Sequence, residues 1–458
     1  MSEERVVILD GTHPGEEDLA PVFSILLKEI KASGAQIQVF SLRHLKLAYC
    51  IGDFGCWVEK PGVCRFGEAA GREILQSIIQ SDTTILFTPV VFGGYSSQLK
   101  QIVDRFASLL LPYFSSYHGE MHHRPRYPHF PRLVGIGVQP SLNAVDAHLF
   151  KMVVGRNAIN FHASSFAAEV VQITDSPEYL REELRSLLTR KDPSPWGPVM
   201  RSITAPADAY ASRSELDGAY RALLIVGSPK TLSPSTSSVL GNYLLDRLKE
   251  YGWETDSLTL KPSLQTEKGQ TELLAAVDRA DLLLFAFPLY IDTLPFLMTR
   301  ALEVIAEHRL STSHPRLQLL FAISNNGFVE SYQNNLALAI CQRFAAETGM
   351  VWMGGLAMGA GEAISGGQPL KPFSAFGVPC AHVIRALDVA GAALAQGQAV
   401  PAEASQGIAR NPIPHAPFAA WRWIAAKTAN RQMWDKRAAE NGLSKSKMLA
   451  QPYRNMRN

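Results

Sequence analysis

A chain of 458 residues, 47% hydrophobic and 19% charged, can bury sizeable cores and has room for two or three domains. A formal charge of +2 gives no reason to expect nucleic acid or an anionic membrane as partner, and five unevenly spaced cysteines make no disulfide framework, which points to a reducing compartment, the cytoplasm. The polar start Ser2-Glu3-Glu4 runs straight into a strand and reads as no secretory signal, and no apolar run reaches the roughly 18 residues of a membrane-spanning helix.

In chain order, short apolar or β-branched runs at Arg5–Leu9, Gln36–Leu42, Thr83–Thr88, Leu133–Val138 and Phe166–Ile173 predict strands. Amphipathic stretches at Glu17–Ala32, Gly67–Gln80, Gln98–Leu111, Val145–Asn157 and Pro177–Thr189 predict helices, with apolar residues at three- and four-residue steps. Asp192 to Ala219 contains four prolines and no clear period, the mark of a linker. The alternation then resumes. Strands are predicted at Ala222–Val226, Thr255–Leu260, Leu282–Phe287, Leu317–Ile323 and Val351–Ala357, and helices near Ser235–Tyr251, Gln270–Ala280, Pro295–His308, Tyr332–Thr348 and Pro379–Ala395. Beyond about Pro401 the pattern stops, and a Pro-rich stretch leads into an aromatic, basic tail that we expect to wrap back over a domain; Trp421 to Asn458 carries nine Lys or Arg against two acids.

Strictly alternating strands and helices require crossover connections, so each half reads as a doubly wound α/β unit, a parallel sheet with helices on both faces. The expected domains are residues 1–191 and 220–399, joined by a linker at 192–219 and followed by a tail at 400–458. The two halves are copies of one plan. Gly11 and Pro89 lie 78 residues apart, Gly227 and Pro288 lie 61 apart, and the excess of 17 is the length of an inserted loop, Ala48 to Cys64, that holds three of the five cysteines.

Doubly wound sheets bind ligands at the carboxyl ends of their strands. In the second copy the first strand is followed by Gly227-Ser228-Pro229-Lys230-Thr231-Leu232-Ser233-Pro234-Ser235-Thr236 and then a helix. Glycine permits the turn, the hydroxyls can donate, and a helix start presents unpaired N–H groups, which together suit a phosphate; the alternative is an N-cap cluster. The third strand leads into Phe287-Pro288-Leu289-Tyr290-Ile291-Asp292-Thr293-Leu294-Pro295 and the fourth into Ser324-Asn325-Asn326-Gly327-Phe328. Flat apolar surface and backbone amides held outward by proline and glycine suit a planar heterocycle, against ordinary packing at a sheet edge.

These three loops resemble the flavodoxin-like NAD(P)H-dependent oxidoreductases, the NADPH-dependent FMN reductases, over roughly residues 220–395. The resemblance implies FMN as cofactor and NADPH or NADH as co-substrate. It implies phosphate on Ser228, Lys230, Ser235 and Thr236 and the ring beside Pro288, Leu289, Tyr290, Ile291, Asn326 and Gly327, with Tyr290 and Asn326 hydrogen-bonding the ring in catalysis. The tail segments Trp434-Asp435-Lys436 and Gln451-Pro452-Tyr453 are similar to tails of some members.

The first half resembles the same superfamily in its ring loop, Thr88 to Ser97, and in Lys100 and Asp104-Arg105, but after Gly11-Thr12-His13-Pro14-Gly15 come Glu16, Glu17 and Asp18, which suit a helix dipole and repel a phosphate. We therefore expect this copy to have lost FMN, the alternative being a site that uses Thr12 and backbone amides. Relatives with one more cysteine bind an iron–sulfur cluster at the loop of Cys50, Cys56 and Cys64, but three cysteines at steps of six and eight with no fourth do not meet the usual ligand count, so no metal is expected. His118, His122, His123 and His129 with Arg124 and Arg126 read as an exposed loop.

The expected activity is hydride transfer from a nicotinamide nucleotide through FMN to a small-molecule or quinone-like acceptor that the sequence does not name. The alternative is a non-catalytic scaffold or an electron carrier served by a protein partner. Family members are usually homodimers, which implies either a homodimer or an internal pseudo-dimer in which the first copy walls the pocket of the second.

Overall fold

Runs such as Leu282-Leu283-Leu284-Phe285-Ala286-Phe287, apolar at every position, form strands buried on both faces, as a parallel sheet under two helical layers demands. The computed structural model describes residues 3–208, 220–230, 233–312, 316–412 and 417–454. Residues 209–219 of the expected linker and Thr231 and Leu232 of the first loop lie outside the described residues. The chain forms two compact units: Met1–His118 with His122–Trp196 and Ala426–Asn458, and Gly119–Met121 with Gly197–Ala425. The expected tail is thus shared between the two units.

In the first half of the chain β1 (Arg5–Asp10), β2 (Gln36–Ser41), β3 (Thr83–Val91), β4 (Gly94–Tyr95), β5 (Leu110–Tyr117), β6 (Glu120–Pro125), β7 (Arg132–Gln139) and β8 (Phe166–Gln172) follow in order, all in the first unit except Glu120 and Met121 of β6. The main sheet runs β2-β1-β3-β7-β8, all parallel, with the short β4 antiparallel to β3. Val6, Ile8, Ile85, Phe87, Val134 and Ile136 on one face pack against Val22, Leu26 and Ile30 of the helix Ala20–Ala32 and Leu180, Leu184 and Leu187 of the helix Pro177–Thr189.

The second unit contains β9 (Arg221–Val226), β10 (Glu254–Thr259), β11 (Leu282–Pro288), β12 (Leu319–Asn325) and β13 (Val351–Met358) in the order β10-β9-β11-β12-β13, all parallel. Counted within its copy, each sheet is 2-1-3-4-5, the flavodoxin-like order whose ligand crevice opens beside the first strand, where the order reverses. The expected tandem α/β architecture is therefore the observed one. The polar edge strand β10 and its counterpart β2 expose most of their side chains, as edges do.

Two elements depart from the sequence reading. The expected helix Gln98–Leu111 stops at Val103, passes through a 3₁₀ segment, Asp104–Leu109, and becomes β5, because Pro112 has no N–H for a helix and Tyr113 and Phe114 favour a strand. β5 and β6 form a separate two-stranded sheet, and this hairpin carries the histidines. They are not an exposed loop. His122 is buried with Nδ1 2.7 Å from Asn160 Oδ1, and buried Arg126 donates to the carbonyls of Ser108 (3.1 Å), Leu110 (3.0 Å), Met448 (3.0 Å) and Ala450 (2.8 Å). His118 and His129 alone among the four are exposed.

The end of the chain does wrap over a domain, and that domain is the first. Trp434, Ala438 and Met448 form one apolar cluster with Trp57, Val58, Leu111 and Tyr113. Asn430 pairs with both the N–H and the carbonyl of Phe114 (2.7 and 3.0 Å), extending the hairpin's hydrogen bonding with a side chain.

Candidate functional site

At the crevice of the second copy, Gly227 donates its N–H to Ala286 O at 2.8 Å, which turns the chain sharply off β9. Ser228 is buried, and its Oγ accepts the Lys230 N–H at 3.4 Å; Lys230 is half-buried. Ser235 caps the helix Thr236–Glu250 in a reciprocal pair with Ser238, Oγ accepting the Ser238 N–H at 3.1 Å while the Ser235 N–H donates to Ser238 Oγ at 2.9 Å. Thr236 donates to Gly361 O at 3.2 Å and Ser237 to Asn325 Oδ1 at 2.7 Å. Of the four residues expected to hold phosphate, then, Thr236 donates its hydroxyl inside the fold, while the Ser235 hydroxyl accepts a bond there. Among the described residues, Ser228 and Lys230 share the loop with the helix N-terminus. The segment after β13, which the sequence reading left out, closes on this loop through Gly361.

The ring loop after β11 is built on a two-residue turn. Tyr290 and Thr293 bridge each other (N–H to O, 2.9 and 3.2 Å), and the residues between, Ile291 (φ 44°) and Asp292 (φ 61°), are both left-handed. Left-handed backbone at β-branched Ile291 costs on the order of 1–3 kcal/mol, which the surrounding structure must offset. Leu289 donates to Asn325 O at 2.8 Å, tying this loop to the one after β12. Pro288, Leu289, Tyr290 and Ile291 form a continuous half-buried ledge, with Gly327 exposed at the end of β12.

Asn326 stands between them and is 5% exposed. Its N–H donates to Met358 O (3.1 Å), its carbonyl accepts from Gly361 (2.8 Å) and its Nδ2 donates to Glu330 O (3.1 Å), which fixes the amide so that Oδ1 faces the other way. Oδ1 is buried and has no hydrogen-bond partner among the described residues. A buried acceptor left unpaired costs about 1–3 kcal/mol, so the site suits a ligand N–H donor such as the imide of a flavin ring.

The first copy has the same backbone frame but not the same chemistry. Gly11 donates to Phe87 O at 2.8 Å, as Gly227 does in its copy, and Val91-Phe92-Gly93-Gly94 makes the same left-handed turn (Phe92 φ 52°, Gly93 φ 81°) between β3 and β4. In the loop after β1, however, the buried Asp10 carboxylate accepts the Thr12 N–H (3.1 Å) and hydroxyl (2.7 Å) through Oδ1 and pairs with Arg43 through Oδ2 (3.4 Å), and Glu16 accepts the His13 N–H at 2.6 Å. The donors a phosphate would need are given to the chain's own carboxylates. These residues do not fit the phosphate of FMN; those of the second copy do. The sequence reading named Glu16, Glu17 and Asp18 and missed Asp10 and Arg43, the residues that fill the loop.

The inserted loop folds around aromatic rings. Trp57 stacks on Phe54 (5.2 Å, 7°), meets Trp434 edge-on (5.0 Å, 89°) and donates Nε1–H to Ala107 O at 2.9 Å. Buried Arg105 pairs with Glu68 and donates to Ala48 O (3.3 Å) and Phe66 O (3.1 Å), while Lys100 and Asp104 form a buried pair. Burial pushes the Cys50 thiol up to about 12, with the Asp104 carboxylate adding to it, and burial raises Cys56 as well. Among the described residues no group of three or more His, Cys, Asp or Glu is arranged to hold a metal ion, and no helix is long and apolar enough to cross a membrane.

Residues 17–171 match the model of the NADPH-dependent FMN reductase family. The match covers about a third of the chain and is a similarity of this half alone. The match lies on the first copy, whereas the sequence resemblance rested mainly on the second; it takes in the ring loop with Lys100 and Asp104-Arg105 and begins just past the loop that Asp10 and Glu16 fill. Two iron–sulfur flavoproteins of Methanocaldococcus jannaschii are similar to the chain, 30% identical over 84 residues (18% of this chain, 41% of the relative) and 32% over 101 residues (22% and 51%). The chain thus spans about half the length of these curated relatives, or less. Among solved structures, an NAD(P)H:quinone oxidoreductase from Methanothermobacter marburgensis is 13% identical, with a TM-score of 0.31 over 42% of this chain and 100% of that one. An FMN-dependent NADH-azoreductase of Bacillus anthracis, in complex with FMN, is 14% identical, with a TM-score of 0.30 over 40% and 95%.

Proposed function

We propose that the protein is an FMN-dependent NAD(P)H oxidoreductase whose flavin is held by the second copy. The observation that carries this reading is Asn326, whose buried, unpartnered Oδ1 stands at the strand ends beside the ledge Pro288–Ile291. The match of residues 17–171 to the FMN reductase family model and the contrast with the self-filled loop of the first copy support it. When bound, FMN accepts hydride from NADPH or NADH and passes reducing equivalents on. The chain's part is to hold and orient. Ser228, Lys230 and the N-terminus of the helix Thr236–Glu250 face the phosphate, with Ser235 capping that helix through an accepting hydroxyl whose O–H can still donate and Thr236 tied to Gly361. Pro288, Leu289, Tyr290 and Ile291 support one face of the ring on a turn already bent into its bound shape, and Asn326 and Gly327 meet its edge. Half-buried Tyr290 and Phe328 leave a flat apolar border, which suits a small planar acceptor of quinone type.

The test is spectroscopic. Purified protein should be yellow with FMN released on denaturation, and anaerobic NADPH or NADH should bleach it at a rate that saturates in nucleotide. FMN-replete protein that neither nucleotide reduces within minutes would make it an electron carrier instead.

A further inference from the structure

We infer that Glu330 and Arg422 are positioning residues for the flavin ring, acting through Asn326. The inference rests on the flavin reading above and goes one shell further into the fold. Asn326 is only as well aimed as the carbonyl that holds its Nδ2, and that carbonyl belongs to Glu330, four residues on at the close of the loop after β12. Glu330 is fully buried. A carboxylate in such a place is costly unless charged and hydrogen-bonding partners surround it. Arg422, on the helix Phe418–Thr428, pairs through Nε at 2.6 Å with Oε1; Gln333 Nε2 donates to Oε2 at 3.2 Å, and the Met121 N–H lies 3.3 Å from both oxygens. The Arg422 side chain is itself only 15% exposed, so the pair is weakly screened.

Glu330 therefore has its side chain clamped by Arg422 and its carbonyl spent on Asn326. Removing the clamp leaves a buried carboxylate that must move towards water, and it takes the Glu330 carbonyl with it. Asn326 then loses the one contact that fixes the orientation of its side-chain amide, because its other two hydrogen bonds come from its backbone. The consequence falls on the ring edge and not on the phosphate loop, where neither residue has a contact.

That asymmetry gives the experiment. Apo-protein is titrated with FMN and with riboflavin, which has the ring but no phosphate, for wild type, Arg422→Ala, Arg422→Lys and Glu330→Gln, and the reduction potential of bound FMN is measured for each. Arg422→Ala should weaken both ligands alike, by about tenfold, and shift the potential; Arg422→Lys, which keeps the charge, should recover most of both, and Glu330→Gln should behave like Arg422→Ala. If Arg422→Ala fails to fold, Glu330→Gln and Arg422→Lys decide. Binding and potential unchanged in folded Arg422→Ala, or a loss confined to FMN with riboflavin unaffected, overturns the positioning role alone. Wild-type protein that takes up neither flavin overturns this role and the proposed function together.

Discussion

In both copies the glycine after the first strand donates to the third strand at the same 2.8 Å, yet the loops that follow differ in chemistry. The difference begins at one position. Asp10 and Val226 are the last residues of β1 and β9; the first is a carboxylate that turns back onto the Thr12 N–H and hydroxyl, the second an apolar residue that offers no such acceptor. A duplicated scaffold can therefore keep one backbone turn while a single position decides whether the chain supplies an anion of its own there.

The sharpest way to break the comparison is to count flavin. One FMN per chain is expected, and Lys230→Glu should weaken it at least a hundredfold, since a cation beside a phosphate becomes an anion. Thr12→Val should leave the stoichiometry as it is. Two FMN per chain by absorbance after denaturation, or flavin that survives Lys230→Glu and leaves with Thr12→Val, would put the cofactor in the other copy.

The ring turns come next. At Gly93 a side chain would be strained by φ 81° and would sit 2.8 Å from Leu149 Cβ, so Gly93→Ala should cost about 2–4 kcal/mol in denaturant melts. Ile291→Gly at the corresponding turn relieves a left-handed β-branched residue; it should change stability by no more than about 1 kcal/mol in either direction while weakening flavin, because the rigid turn is lost. Equal losses for the two would mean that the turns are not alike.

How far these features could be read beforehand follows from their range along the chain. Strand and helix order came through because period and length are local properties, and the loops at the strand ends were visible in runs such as Phe287 to Pro295. The filling of the first loop was not visible, because Arg43 lies 33 residues from Asp10 and Asp10 looks like an ordinary strand end. Nor was the open oxygen of Asn326, which exists only because the Glu330 carbonyl takes the other end of the amide. At Ser235 and Thr236 the sequence left two roles open for a related reason: a hydroxyl ahead of a helix suits capping and phosphate equally, and only the folded chain shows the partners inside it.

Asp10→Ala sharpens the same contrast with a smaller effect. It frees the Thr12 donors and leaves Arg43 beside them, so 20 mM inorganic phosphate should raise the melting temperature of the variant by about 2–4 °C and that of wild type not at all. An equal shift in both proteins would mean that phosphate binds elsewhere.

The smallest effect concerns acid, and it belongs to the hairpin and inserted loop that have no equivalent in the second copy. His123 lies against Trp57 (4.6 Å) and Phe114 (4.7 Å), with Nδ1 3.1 Å from Pro112 O. Burial pushes its pKa down to about 3 from an ordinary 6.5. The folded form therefore keeps the ring neutral where the unfolded chain would protonate it, so the unfolded state binds more protons and stability falls as pH drops from 6.5 towards 3. His123→Gln cannot titrate and removes this slope, at the cost of about 1 kcal/mol of ring packing near neutral pH. Urea midpoints taken between pH 7 and 4 should converge and then cross as the pH falls, leaving wild type the less stable of the two at pH 4. Curves that stay parallel would mean that His123 is protonated in the folded protein and that the acid sensitivity of the first copy has another source.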